Sequence, residues 1–292
     1  MASQQTAAQP QGITISDEDF ARFQEFFYRK TGISFDAKKR YFVDKRLIDR
    51  VEALKLRDFR EYFTHLRFQV SGEEVQTLIN AMTVNETYFY REEYQFRCLV
   101  QSILPELVRR KAAGERLRIW SIPCATGEEP YSLALYLLEH WEHVDRFDVE
   151  IVASDIDTKV LEAARQGRYG ERALQYLPQA TRRRFFSRVG EDAYQIIDDL
   201  RNSIEFTTVN LNDPMQTRRH RDFDVVFCRN LLIYFDDLSR RQAAETIFDA
   251  LQPGGFCCLG HSESMSRISP LFRVRRFPDA IVYQKPEHGD AP

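Results

Sequence analysis

From residue 117 onward short apolar runs alternate with longer amphipathic ones, and this alternation restricts the fold more than any other feature of the chain. Runs at 117–122, 149–154, 204–209, 223–228, 255–260 and 279–284 read as strands. Those at 130–142, 158–166, 238–251 and part of 95–112 read as helices. Strand followed by helix, repeated, demands a mostly parallel sheet covered on both faces. The stretch 167–203 is longer than a crossover needs. Within it, two short alternating runs flank Gly190-Glu191-Asp192 as a hairpin would. A small β-subdomain inserted at about 170–203 is therefore expected.

Ahead of this half the pattern is helical only. Ser16 with Asp19 has the form of a helix N-cap, and Phe20, Phe23, Phe26 and Phe27 follow at helical spacing. The expected organisation is a disordered tail at 1–12, a small all-helical domain at 13–84, the sheet domain at 85–286 and a short tail at 287–292. A net charge of −3 argues against a chain dominated by nucleic-acid binding. Five cysteines without CxxC pairing indicate neither a zinc site nor a disulfide framework, so no metal is expected. No run approaches the ~20 apolar residues of a membrane span, and no signal peptide precedes the first helix. A cytoplasmic protein, monomeric by default, is expected.

The turn "WSIPCATGEEPYSLAL" (120–135) joins the first strand of the sheet to a helix, where α/β proteins hold nucleotides. It carries Glu128 and Glu129 where a phosphate loop has glycines or lysine. The next strand ends at Asp155, placed to accept hydrogen bonds from both hydroxyls of a ribose. Two glutamates repel a pyrophosphate but favour a cation, so an adenosine ligand with positive charge and no phosphate fits. S-adenosylmethionine has both properties. The plain alternative is that the glutamates are solvated first-turn residues favoured by the helix dipole.

Two further stretches bear on this choice: "VNETYFYR" (84–91) and "FDVVFCRNLLIYFD" (223–236), the latter placing Arg229, Asn230 and Tyr234 at a strand's carboxyl end. With NETYFYR, WSIPCATGEEPYS, ASDIDTKVLEAAR, IEFTTVNL, FDVVFCRNLLIYFD and GGFCCLGHSES in this order over roughly 13–285, the chain resembles the chemotaxis receptor methyltransferases, the CheR family. The resemblance implies a helical domain followed by a Rossmann-like S-adenosylmethionine-dependent methyltransferase domain with an inserted β-subdomain. It implies transfer of methyl groups to glutamates of chemoreceptor cytoplasmic helices, with S-adenosylhomocysteine as product. Carried over by motif, Asn85, Thr87 and Arg91 are cofactor contacts, with Glu129 toward the methionine or sulfonium side and Asp155 at the ribose. Asn210 with Leu211, and Arg229 with Asn230, match the adenine side and the methionine tail. Arg91 and Tyr234 match the pair beside the transferred methyl group.

Two places depart from the family pattern. Pro123 stands where a small residue is usual. The inserted hairpin turn, VGEDAY, lacks the longer glycine-flanked loop of members that dock on a receptor's C-terminal pentapeptide, so no such tether is expected. The chemistry needs no general base, because a glutamate with a reference pKa near ~4.3 is already ionised at neutral pH. Arg91 would hold that carboxylate bidentately while Tyr234 fixes orientation. His261 is given no chemical role. DNA amino-group methylation would want an (N/D)PPY-type stretch where this chain has RNLLIY. A non-catalytic sensor of the cofactor shares most of the same residues and stays open. In the helical domain, ten Lys/Arg against four Asp/Glu between 29 and 57 place Lys39, Arg46 and Arg50 on one side of a helix. That stripe is expected to meet the acidic helical surface of a receptor.

Overall fold

The computed structural model describes residues 12–287, so all but one residue of each expected tail lies outside the described residues. The chain divides into two compact units, one comprising residues up to Lys30 with Ser34–Met82, the other Thr31–Ile33 with everything from Thr83 onward. Among the described residues no helix is long and apolar enough to cross a membrane.

The first unit contains α1 (Asp17–Thr31), α2 (Arg40–Ala53), α3 (Phe59–Phe68) and α4 (Glu73–Met82). The Asp19 N–H donates to Ser16 Oγ at 3.1 Å and the Ser16 hydroxyl donates back to Asp19 Oδ2 at 2.8 Å, so the start of α1 is capped as its sequence requires. Phe23 and Phe27 of α1 are buried together with Val43, Leu47 and Val51 of α2. The basic side of α2 is not the free stripe that its helical spacing suggests. Arg50 makes a bidentate pair with Glu74 of α4 at 2.9 and 2.8 Å, and the Tyr62 hydroxyl donates to the same carboxylate at 2.9 Å. Arg46 donates to the Ala81 and Phe42 carbonyls and lies 3.3 Å over the Phe42 ring. Lys39 immediately precedes α2 and is half-buried. Arg46 and Arg50 are therefore spent within their own unit, because α4 brings acceptors to them that α2 alone cannot reveal.

The second unit opens with α5 (Tyr94–Cys98), a π-turn (Leu99–Ile103) and α6 (Leu104–Val108), followed by β1 (Arg116–Ser121), α7 (Glu128–His140), β2 (Asp148–Asp155) and α8 (Thr158–Gln166). The insertion holds β3 (Arg168–Gly170), α9 (Glu171–Leu174), α10 (Gln179–Phe185), β4 (Phe186–Arg188), β5 (Ala193–Ile196) and α11 (Asp198–Asn202). After it come β6 (Ile204–Thr208), α12 (Pro214–Thr217), β7 (Phe223–Cys228), α13 (Asp237–Ala250), β8 (Leu251–Leu259), β9 (Arg273–Arg276) and β10 (Ile281–Gln284).

The main sheet runs β6-β2-β1-β7-β8-β10-β9, parallel from β6 to β8 and antiparallel at β10 and β9. Its central strands are apolar on both faces. Ile119, Val225 and Phe227 pack on one side with α5, α6 and α7, while Trp120, Val226 and Cys228 pack on the other with α13. The insertion folds as a second sheet, β3-β5-β4, one strand more than the hairpin read from the sequence. All five cysteines are free and buried.

Replacing Arg50 with Ala leaves the buried Glu74 carboxylate with Tyr62 but no cation. The expected loss is about 2–3 kcal/mol, below the ~3–5 of a wholly buried pair because Arg50 keeps some exposure. Urea unfolding of the full chain measures it, and an unchanged midpoint contradicts a structural role for the pair.

Candidate functional site

The parallel strands end on one edge of the sheet, and every segment singled out in the second unit arrives there. The chain leaves β1 through a cis Ile122–Pro123 bond, passes Ala125 at φ +46° and enters α7 at Gly127, φ +94°. A side chain at Gly127 would stand 3.0 Å from Ala164 Cβ and 3.1 Å from the Tyr169 hydroxyl, so this turn needs glycine for both conformation and space. The two following glutamates part company. Glu128 is buried and accepts from the Thr126 hydroxyl at 2.6 Å. Glu129 turns toward the pocket, accepting from Ser121 Oγ at 2.8 Å and pairing with Arg229 at 2.8 Å. Neither is a solvated first-turn residue; burial pushes both carboxyls above their ordinary value, Arg229 opposing the shift at Glu129.

Arg229, at the end of β7, is almost wholly buried. One guanidinium nitrogen pairs with Glu129; the other lies 3.2 Å from Glu92 and donates to the Arg91 carbonyl at 2.6 Å. Glu92, at φ +57°, also lies 2.8 Å from His261 Nδ1. Burial works against ionisation of Glu92, but Arg229 and His261 hold it below the usual carboxylate range. Arg229 thus stands between two carboxylates, and Arg91 adds a second cation to the pocket lining.

That pocket is lined by Asn85, Thr87, Arg91, Glu129, Arg229 and Asn230 among others, six of the residues assigned to the cofactor. Asn85 is fixed through its amide, which donates to Asp157 Oδ2 at 2.9 Å, the oxygen that also receives the Thr83 hydroxyl at 2.6 Å. Asp157 in turn caps α8. Asp155 lies beneath the turn. Its carboxylate accepts the Ala125 and Asp157 N–H groups, both at 2.9 Å, and burial pushes it up to about 6. The Ile156 N–H also bonds to this carboxylate, so of its roughly four acceptor sites about one is left for a hydroxyl donor.

Asn210 and Leu211 are buried just past β6, set beside the end of β2 by the Val209 N–H, which donates to the Asp155 carbonyl at 3.0 Å. They are not part of the lining that Asn85 and Glu129 share. Tyr234 sits in a short 3-10 turn, Leu232–Tyr234; burial raises its phenol pKa, with Arg91 near enough to oppose the shift. Arg91 donates to the Glu86 carbonyl at 2.6 Å and is half-buried.

Three acids that the sequence did not single out hold this arrangement: Glu92, Asp157 and Glu263. Glu263 accepts the N–H groups of Asn230 at 2.7 Å, Leu232 at 2.8 Å and Gly260 at 2.9 Å. It thereby fixes Asn230 in its left-handed conformation, φ +59°. The GHSES motif containing Glu263 was visible, but nothing in its spacing says that a carboxylate would meet main-chain donors about thirty residues away.

A doubly covered sheet, an acid under its first turn and a strand-end pocket with Glu129 in place of a glycine-rich phosphate loop fit a class, the S-adenosylmethionine-dependent methyltransferases. Residues 85–281 match the family described as CheR methyltransferase, SAM binding domain, and 18–83 match the CheR methyltransferase all-alpha domain. The chain is 53% identical over 277 residues, 95% of its length and 96% of the relative's, to Chemotaxis protein methyltransferase 2 of Vibrio cholerae. It is 41% identical to Chemotaxis protein methyltransferase 2 of Pseudomonas aeruginosa, covering 88% of this chain and 90% of that one. The chain belongs to the CheR methyltransferase family. It is a protein-glutamate O-methyltransferase of chemotactic signalling with an S-adenosylmethionine-binding domain.

Glu263→Ala would strand buried N–H groups and release Asn230, costing at least about 2 kcal/mol. Denaturant unfolding should show that loss, and calorimetry a weaker affinity for S-adenosylhomocysteine. Wild-type values in both would remove Glu263 from the frame of the site.

Proposed function

We propose that the enzyme forms glutamate γ-methyl esters on the cytoplasmic helices of a chemoreceptor, acting as a cytoplasmic monomer without metal. The observation that carries the cofactor side is the Glu129 carboxylate, held at the pocket by Ser121 and Arg229 where a phosphate loop would present donors, which suits a ligand bearing sulfonium and ammonium charges. S-adenosylmethionine, when bound, supplies the methyl group as an electrophile. Asn85, Thr87, Glu129, Arg229 and Asn230 would hold its methionine end and Asp155 its ribose, with Asn210 and Leu211 toward the base. Arg91 would grip the acceptor carboxylate. The Tyr234 phenol, kept neutral by burial, would donate a hydrogen bond that fixes its angle. No proton has to be removed, because the acceptor arrives ionised.

Transfer of radiolabelled methyl from S-adenosylmethionine to receptor fragments tests this reading. Label that alkali releases as methanol marks an ester, whereas an N-methyl product resists alkali. Arg91→Ala should lower kcat/KM by on the order of 100-fold, or about 2.7 kcal/mol, and Tyr234→Phe should lower kcat with little change in cofactor affinity. Transfer should survive removal of the receptor's C-terminal tail, since the turn joining β4 and β5 offers only Gly190-Glu191-Asp192 at its tip. Alkali-stable label, or none, sinks the proposal; loss with the tail restores the tethered mode.

The ribose role of Asp155 has a pH signature. Burial places its carboxyl at about 6 in the free protein, and hydroxyl donors stabilise the ionised form. Affinity for S-adenosylhomocysteine should thus be full above that value and fall as pH drops through it, by at most about tenfold per unit. Calorimetry at several pH values between about 7.5 and 5 reads the profile. A flat profile removes Asp155 from the ribose.

A further inference from the structure

Arg91 is not an isolated end point of the pocket. Its guanidinium carbon stands 5.8 Å from the centre of the Tyr88 ring, and the Tyr88 ring centre stands 5.0 Å from that of Tyr176. These three side chains step outward from the pocket to the surface, where Tyr176 is 59% exposed. Tyr88 and Tyr176 line an open groove of about 760 Å³ together with Glu86, Thr87 and Arg172, while Arg91 lines the cofactor pocket, and the segment Asn85–Tyr88 is common to both. The groove is the open continuation of the site.

Its two walls come from different parts of the chain but are fixed to each other. The Phe89 N–H donates to the Ala173 carbonyl at 2.9 Å, and the Phe89 ring packs edge-on against Tyr169 at 4.8 Å and Phe186 at 5.3 Å. The groove is therefore preformed and does not require ordering of a loop. On its rim Arg172 pairs with Glu86 at 3.2 Å, with side chains 86% and 71% exposed. Such a pair is worth little in water, so exchanging Glu86 for another carboxylate costs little.

We propose that this groove is the seat of the acceptor helix. An apolar residue of that helix rests on Tyr88 and Tyr176, and an acidic neighbour of the methylated glutamate takes Arg172 from Glu86. This rests on the reading that the acceptor is a glutamate on a receptor helix, and it adds which surface holds that helix. A helix presenting carboxylates among apolar side chains matches an aromatic floor with one exposed arginine on its rim. Seated there, its glutamate points inward along Tyr88 to Arg91.

The test uses the full-length enzyme with a receptor cytoplasmic fragment as varied substrate at saturating S-adenosylmethionine. Tyr176→Ala and Arg172→Glu should each raise the receptor KM about five- to tenfold, leave kcat within about twofold, and leave affinity for S-adenosylhomocysteine unchanged. Tyr176→Phe should restore the wild-type KM. The Arg172→Glu effect should shrink as salt rises and the Tyr176→Ala effect should not. An unchanged receptor KM in both variants overturns the proposal, as does a parallel loss of S-adenosylhomocysteine affinity, which would assign the groove to the cofactor. In either case the wild type still transfers label, and the receptor reading stands. A wild type that forms no alkali-labile label sinks both.

Discussion

Arg229 between Glu129 and Glu92 is the interaction on which the site depends. It joins the end of β7, the first turn of α7 and the segment around Arg91, adding a charged link to the β1–β7 pairing and to the Tyr90 N–H that donates to Ser132 Oγ of α7. Removing one partner from a buried arrangement of this kind leaves an uncompensated charge, which costs several kcal/mol. The backbone conforms to it: Tyr90 and Glu92 both adopt positive φ, at +59° and +57°, conformations that persist only where the surroundings over-determine them.

The same cluster decides the ligand. A turn between strand and helix ordinarily invites phosphate through its free N–H groups. Here one of those groups, the Ala125 N–H, is taken by Asp155, and Glu128 and Glu129 occupy the first turn of α7. A donor that a phosphate would need is taken by a carboxylate, and Glu129 faces the pocket. What remains attractive to the site is an adenosine with hydroxyls and positive charge. This is a statement about electrostatics at a strand edge and would hold for any chain with these contacts.

Much of this was legible in the sequence, and the failures have identifiable causes. Strands buried on both faces, such as Phe223–Cys228, announce themselves as unbroken apolar runs. The edge strand Arg273–Arg276, reading RVRR, and the three-residue Arg168–Gly170 carry no such run, because an edge needs neither two apolar faces nor length. Helical spacing placed Arg46 and Arg50 on a common side of α2 correctly, but a wheel shows a face and not what faces it. Glu74 lies 24 residues further on and takes Arg50. The motif residues that line the pocket were named through the family resemblance, which supplies their positions where spacing alone does not. Glu92, Asp157 and Glu263 were not, because each serves by accepting from partners that only the fold brings near.

The distribution of burial across the site follows from the reaction itself. Moving a methyl group to a carboxylate that is already ionised asks for no acid or base, only for alignment. Alignment is obtained from groups that cannot move, and of those assigned to the cofactor Asp155 and Arg229 are buried. The acceptor, however, belongs to another macromolecule and must enter and leave. The groups assigned to it, Arg91 and Tyr234, are accordingly only half-buried, standing where the rigid frame meets solvent. A site with deeply buried acceptor residues would suit a small metabolite. One with a fixed interior and an accessible outer pair suits a glutamate carried on a helix.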